Sequence, residues 1–123
     1  MGNPHAVITL DSIQSPEIKD IYDFINKIGI FESGINLGFF KVMDQKTIDL
    51  RVFERGCGET LACGSGACAA VVAGVAQNLL IQGEPVKVNL PGGSLSIFWS
   101  GGLNDKVFMS GPAEEVFRGT FQL

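Results

Sequence analysis

From Ala67 to Ala76 every position is apolar or small, and none is charged or strongly polar. A helix of that pattern has no wet face, so other elements must surround it. At this length it falls far short of the roughly 20 residues that cross a bilayer. The rest of the chain reads in shorter periods. His5 to Leu10 is a β-branched apolar run and predicts a strand. Ser15-Pro16-Glu17 has the capping hydroxyl, first-position proline and first-turn acid of a helix start. Ile18, Ile21, Phe24, Ile25 and Ile28 follow at helical spacing up to Gly29, which predicts an amphipathic helix lying on a sheet.

Asn36 to Met43 and Thr47 to Phe53 predict two strands about the turn Asp44-Gln45-Lys46. In the second strand Ile48, Leu50 and Val52 alternate with Asp49 and Arg51, the pattern of one buried and one wet face. The apolar helix is expected to run on to near Leu80, with Gln82-Gly83 as the break. Val86, Val88 and Leu90, then Leu95, Ile97 and Trp99, alternate on either side of Pro91-Gly92-Gly93 as a hairpin. Val107 and Met109 follow, and the last strand is expected at Glu115 to Phe117 or Thr120 to Leu123. Two helices and about six to eight mostly antiparallel strands, one helix wholly apolar, predict an α+β domain. Its mixed, mostly antiparallel sheet would curl around the central apolar helix. The glycines do not follow G-x-G-x-x-G, which sets a Rossmann arrangement aside.

Composition narrows the field. The 123 residues make one domain, 46% hydrophobic and 18% charged, which excludes a disordered chain. A net charge of −4 leaves no basic footprint for nucleic acid or an anionic membrane, so neither is an expected partner. Three cysteines are an odd number, and Met1-Gly2-Asn3-Pro4-His5 has neither the basic start nor the apolar core of a secretory leader. A reducing cytoplasm is the expected location. Glycine, at 16 residues, is about twice its usual share, so tight turns and close backbone approaches are expected.

The chemistry gathers where Glu54-Arg55-Gly56-Cys57-Gly58-Glu59-Thr60-Leu61-Ala62-Cys63-Gly64-Ser65-Gly66-Ala67-Cys68 runs into the apolar helix. The first N–H groups of a buried helix have no intrahelical partners and, with the positive end of the helix dipole, attract an anion. Gly64 and Gly66 let a ligand approach the backbone. Cys63 stands where a thiolate is favoured. Its sulfur is expected to open toward a half-cleft, although a small buried residue is the plainer reading of any cysteine. Cys68 lies five residues on, on another helix face, and reads as core.

These residues resemble the diaminopimelate epimerases, cofactor-independent epimerases of lysine and cell-wall biosynthesis. The resemblance is carried, in the family's order, by Gly2-Asn3-Pro4-His5-Ala6-Val7, Gly34-Ile35-Asn36-Leu37-Gly38-Phe39, Arg51 to Gly56, Glu59 to Cys68, Leu90-Pro91-Gly92-Gly93 and Gly111-Pro112-Ala113. It implies that residues 1–123 are the C-terminal domain of a two-domain enzyme whose N-terminal domain, bearing a second cysteine, is absent. It also implies that no cofactor or metal is needed and that the substrate is diaminopimelate; a homodimer is left open.

Inverting an α-carbon without an electron sink calls for one base on each face, with fixed dipoles holding the carboxylate. The resemblance makes Cys63 one of these acid/base residues, with Gly64 and Ser65 offering N–H groups to the carboxylate, though Ser65 also reads as an ordinary cap. It gives Arg55 the distal carboxylate, Glu54 proton traffic or the distal amine, and Asn3 and Asn36 polar contacts with substrate. His5 is placed near the absent cysteine. Taken singly, Arg55 and Glu54 are surface charges, the asparagines turn formers, and His5 structural. Cys57 departs from the family's usual small residue and reads as incidental, with an oxidised Cys57 to Cys63 pair left open.

Rival readings fail on spacing. Three cysteines and one histidine match a zinc site in number, but there is no C-x-x-C, which also removes a thiol redox module. A phosphate loop lacks its Gly-Lys-Ser/Thr. A proline racemase-like or phenazine-type isomerase of the same fold and a non-catalytic isolated domain stand as alternatives.

Overall fold

The computed structural model describes residues 2–15 and 17–122. The chain runs β1 (His5–Thr9), α1 (Glu17–Lys27), β2 (Asn36–Asp44), β3 (Thr47–Glu54), β4 (Gly58–Thr60), α2 (Gly64–Ala76), β5 (Val86–Leu90), β6 (Gly93–Phe98) and β7 (Phe108–Ser110). One seven-stranded sheet follows the order β1-β2-β3-β5-β6-β7, with β4 on β3. β1 pairs parallel with β2, and β3 with β5; the other pairings are antiparallel. Each parallel pair requires a crossover, and the two helices are those crossovers. The α+β fold read from the sequence is the one observed.

The helices serve two cores on opposite faces of the sheet. Phe40, Ile48, Leu50, Val52, Val86, Val88 and Ile97 pack with Ala67, Ala70, Val71 and Val75 of α2. Leu37, Phe39 and Phe53 turn the other way, toward Ile13 and Ile18, with Ile21, Tyr22 and Ile25 of α1 against them. Neighbours such as Phe39 and Phe40, or Val52 and Phe53, divide between the cores because strand side chains alternate. Helix α2 touches β1, β2, β3, β6 and β7, as a helix without a polar stripe requires. Gly66 permits the closest approach: a Cβ there would lie 3.0 Å from Val52 Cγ2 and 3.2 Å from Cys63 Sγ.

Several boundaries differ from the sequence reading. Ser15 Oγ accepts the Glu17 N–H at 3.2 Å as a cap, while Pro16 lies outside the described residues. Phe24 of α1 is 62% exposed and Ile28, just past its end, 46%, and Tyr22 takes their place against the sheet, stacking on Phe53 with ring centroids 4.9 Å apart. Helix α2 ends at Ala76, earlier than Leu80. Asn78 adopts φ 58°, the N–H groups of Leu79 and Leu80 both return to the Gly74 carbonyl, and Leu80 packs on Gly74, where no Cβ intervenes.

The face of β3 expected to be wet is half-buried. Arg51 grips Glu59 with two bonds of 2.6 and 2.9 Å and donates to the Ile13 carbonyl at 2.6 Å, while Asp49 accepts from Asn89 at 2.9 Å. Trp99 is buried just past the end of β6. The last strand is β7, and neither segment expected to form it does so: residues 111–122 carry no strand, and Leu123 lies outside the described residues. Twelve exposed residues cannot supply a core face in this chain, whatever their pattern.

Gly66→Ala gains helix propensity of about 1 kcal/mol but forces overpacking of about 1–3 kcal/mol, so urea unfolding should show a net loss near 1 kcal/mol. The hydrogen bond from Arg51 holds the Glu59 carboxyl below its ordinary value of 4.5. A carboxylate so lowered adds stability above 4.5 that is lost as pH falls through the lowered value, and Glu59→Gln should flatten that acid limb in a pH series of unfolding curves.

Candidate functional site

Because β1 and β2 run parallel and β3 returns between them and β5, the starts of β1 and β2 share one end of the sheet with the close of β3. There His5 pairs in register with Asn36, and Leu37 with Phe53. Asn3, His5, Asn36, Glu54 and Arg55, all expected at the site, gather here. His5 Nε2 lies 3.2 Å from Asn3 Oδ1. Asn36, 5% exposed, accepts the Arg55 backbone N–H on Oδ1 at 2.9 Å. Its carbonyl therefore shapes the backbone that carries Arg55. The Arg55 stem lies over Gly34, whose φ of 71° and missing Cβ make room for it, and Nη1 donates to the Ser33 carbonyl at 2.9 Å.

The β3–β4 hairpin turns at Gly56 and Gly58, with φ of 79° and 77°, a conformation glycine takes without strain. Alternation along β3 puts Glu54 on the same face as Ile48, Leu50 and Val52, the face toward α2. Glu54 Oε1 accepts the Thr60 hydroxyl at 2.7 Å, and its backbone carbonyl accepts from Tyr22 at 3.3 Å and from the Cys57 N–H at 3.1 Å. Thr60 and Tyr22 were not picked from the sequence. Their roles follow from the register of a three-residue strand and from helix docking, and neither leaves a periodic trace.

Leu61 and Ala62 join β4 to Cys63, the N-cap residue of α2, whose φ of −144° and ψ of 104° are extended. Its side chain makes no capping hydrogen bond, and the first intrahelical bond runs from the Ala67 N–H to the Cys63 carbonyl at 2.9 Å. The N–H groups of Gly64, Ser65 and Gly66 thus have no intrahelical acceptor. The Cys63 sulfur is not open as expected: the residue is 6% exposed, with Sγ tucked beside the Gly66 α-carbon and 3.6 Å from Ser65 Oγ. Without a Cβ at Gly66 the sulfur folds inward beneath the first turn. Met109 of β7 covers Gly64, where a Cβ would stand 2.9 Å from its sulfur. Among the described residues no hydrogen bond joins Cys63 to Glu54, so the site comprises a polar cluster at the sheet end and a thiol at the helix start.

Electrostatics separate these groups. Burial pushes the His5 imidazole below its ordinary value, with the nearby Glu54 carboxylate pulling the other way. Burial pushes the Cys68 thiol up, as suits a core residue. All three cysteines are free, Cys57 exposed and the others buried. Among the described residues there is no group of three or more histidine, cysteine or acidic side chains suited to a metal, and no helix is long and apolar enough to cross a membrane. A cavity of about 370 Å³ between Ile13, Asp49, Arg51 and Asn89, and one of about 200 Å³ beside Ala62, Gly92 and Pro112, are lined by neither Cys63 nor Glu54.

Residues 1–116 match the family described as "Diaminopimelate epimerase". A curated relative of that name from Neisseria meningitidis serogroup A is 50% identical over 119 residues, covering 97% of this chain and 41% of the relative. Another, from Cupriavidus pinatubonensis, is 50% identical over 123 residues, covering all of this chain and 42% of the relative. The chain therefore spans under half the length of the relatives it matches. Among solved structures, the Bacillus anthracis phenazine biosynthesis protein of the PhzF family superposes with a TM-score of 0.65 at 22% identity. That match covers 89% of this chain and 34% of the other, and at this identity it establishes the fold alone.

Brief iodoacetamide treatment of the native chain should label Cys57 well before Cys63 or Cys68, as read by peptide mass spectrometry; equal labelling would contradict the burial described. An NMR titration should place His5 below its ordinary 6.5. Since the unfolded chain then takes up this proton first, the neutral ring's contribution to stability is complete above 6.5 and fades as pH falls through the lowered value.

Proposed function

Because the chain belongs to the diaminopimelate epimerase family, we propose that it supplies one half of a cofactor-independent epimerisation of diaminopimelate. The carrying observation is the start of α2: a cysteine at the N-cap, followed by three N–H groups without intrahelical acceptors. An α-carboxylate seated on those donors would meet the positive end of the helix dipole, which steadies the charge that grows as the α-proton leaves. Cys63 then takes or returns that proton on one face. For that transfer the sulfur, which lies folded inward beside Gly66, must turn out toward the substrate. The opposite face is served by a cysteine from the part of the relatives that this chain does not cover.

The polar cluster fits the far end of the same substrate. Arg55 offers a planar pair of donors to a distal carboxylate, and Glu54, on the α2 face of β3, receives the distal amine or assists proton traffic. Asn3 and His5 border this cluster, and Asn36 acts by setting the Arg55 backbone. A substrate charged at both ends favours diaminopimelate over proline. Three free thiols accord with work in a reducing cytoplasm. A polypeptide with one of two bases has no turnover of its own, and the residues bordering the site would then be completed by a preceding domain.

The chain alone should leave the α-proton of LL-diaminopimelate unexchanged in deuterated water. Fused behind the part of the Cupriavidus pinatubonensis relative that it does not cover, it should restore exchange. In that fusion Cys63→Ala should lower kcat by at least about 10³-fold, and Arg55→Lys should raise KM more than it lowers kcat. Robust activity of the chain by itself would overturn the two-base account.

A further inference from the structure

Resting on the epimerase reading, we propose that Thr60 is a positioning residue that holds the Glu54 carboxylate in its working orientation. In the β3–β4 hairpin Val52 lies opposite Thr60, and Glu54 opposite Gly58. Glu54 stands two residues beyond Val52 on β3, so Glu54 and Thr60 are diagonal neighbours on one face of the sheet. That face is the one against α2, where Val52 touches Gly66 beside the Cys63 sulfur. The Thr60 hydroxyl donates to Glu54 Oε1 at 2.7 Å in a half-buried setting, and among the described residues Oε2 has no protein partner.

The geometry assigns the two oxygens different duties. Oε1 is held, and Oε2 is left for the proton traffic of the epimerase reading. The other bonds of Glu54, from Tyr22 and Cys57, fix only its backbone. Without Thr60 the three side-chain torsions of Glu54 would be free to carry the carboxylate away, and misplacement of this order slows a reaction far more than it weakens binding. Threonine suits the post: it fits a strand, its branched Cβ fixes χ1, and its hydroxyl has one donor to commit to a carboxylate.

The test uses the active fusion described above, with wild type measured first. An inactive wild-type fusion would count against the epimerase reading and not against the hydrogen bond. In an active one, Thr60→Val should lower kcat roughly tenfold or more, as expected from losing one charge-assisted bond, with KM within about twofold. Thr60→Ser, which keeps the hydroxyl, should recover most of the loss. An independent readout needs no activity: in the chain itself the Glu54 side-chain carboxyl ¹³C resonance should move in Thr60→Val and return in Thr60→Ser. If Val proves unfolded, Thr60→Ala takes its place against Ser. A kcat equal to wild type, a loss that Ser does not relieve, or an unmoved Glu54 resonance would each overturn the proposal.

Discussion

A helix with no polar face is the constraint from which the rest of this structure follows. Helix α2 can leave water only where apolar surface meets it, and β1, β2, β3, β6 and β7 provide that surface along most of its length, leaving Val72 and Ala73 half-buried and Ala76 exposed. The same burial fixes the position of its first turn. The N-terminal donors of a surface helix are satisfied by water, whereas those of α2 emerge beside a core cysteine and two glycines. Fold and site therefore share one cause: enclosing the helix for stability also brings a thiol and an array of N–H groups to one place.

The second organising feature is the sheet end, where polar groups are held chiefly by each other. Asn36 is buried and uses its amide to hold the Arg55 backbone, Gly34 yields space to the Arg55 stem, and Tyr22 reaches across from α1 to Glu54. These contacts hold the backbone or stem of Arg55 and Glu54 from behind, while Ser33 and Thr60 each engage one atom of their polar ends. Such support is what separates a set of suitable residues from an arrangement able to hold a ligand in one pose.

Much of this was legible in the sequence for identifiable reasons. The apolar run at Ala67 to Ala76 and the alternation at Ile48, Leu50 and Val52 are strong periodic signals, and the structure keeps both. Glu54, Arg55, Asn36 and His5 stood out by residue type and by resemblance, and they do share one end of the sheet. What escaped was tertiary. Strand β4 is only three residues long, so Thr60 gave no pattern. The helix stops early because Leu80 folds back on Gly74, a contact that leaves no periodic trace in the sequence. A last strand is expected at Glu115 to Phe117 or Thr120 to Leu123, but residues 111–122 are exposed throughout and pair with no edge of the sheet. The inward turn of Cys63 depends on the space above Gly66, which residue identity alone does not disclose.

The crowding at Gly66 also bears on how the site could be redesigned. Val52 and the Cys63 sulfur press on the same α-carbon from two directions, so the helix turn itself has no slack. Engineers seeking to reseat the thiol would gain little by adding a side chain at Gly64 or Gly66, where a Cβ would stand 2.9 Å from the Met109 sulfur or 3.0 Å from Val52 Cγ2. The adjustable wall is the strand: trimming Val52 would open volume next to the sulfur while leaving every residue of the loop unaltered, which makes an apolar strand position the handle for tuning the chemistry of a helix.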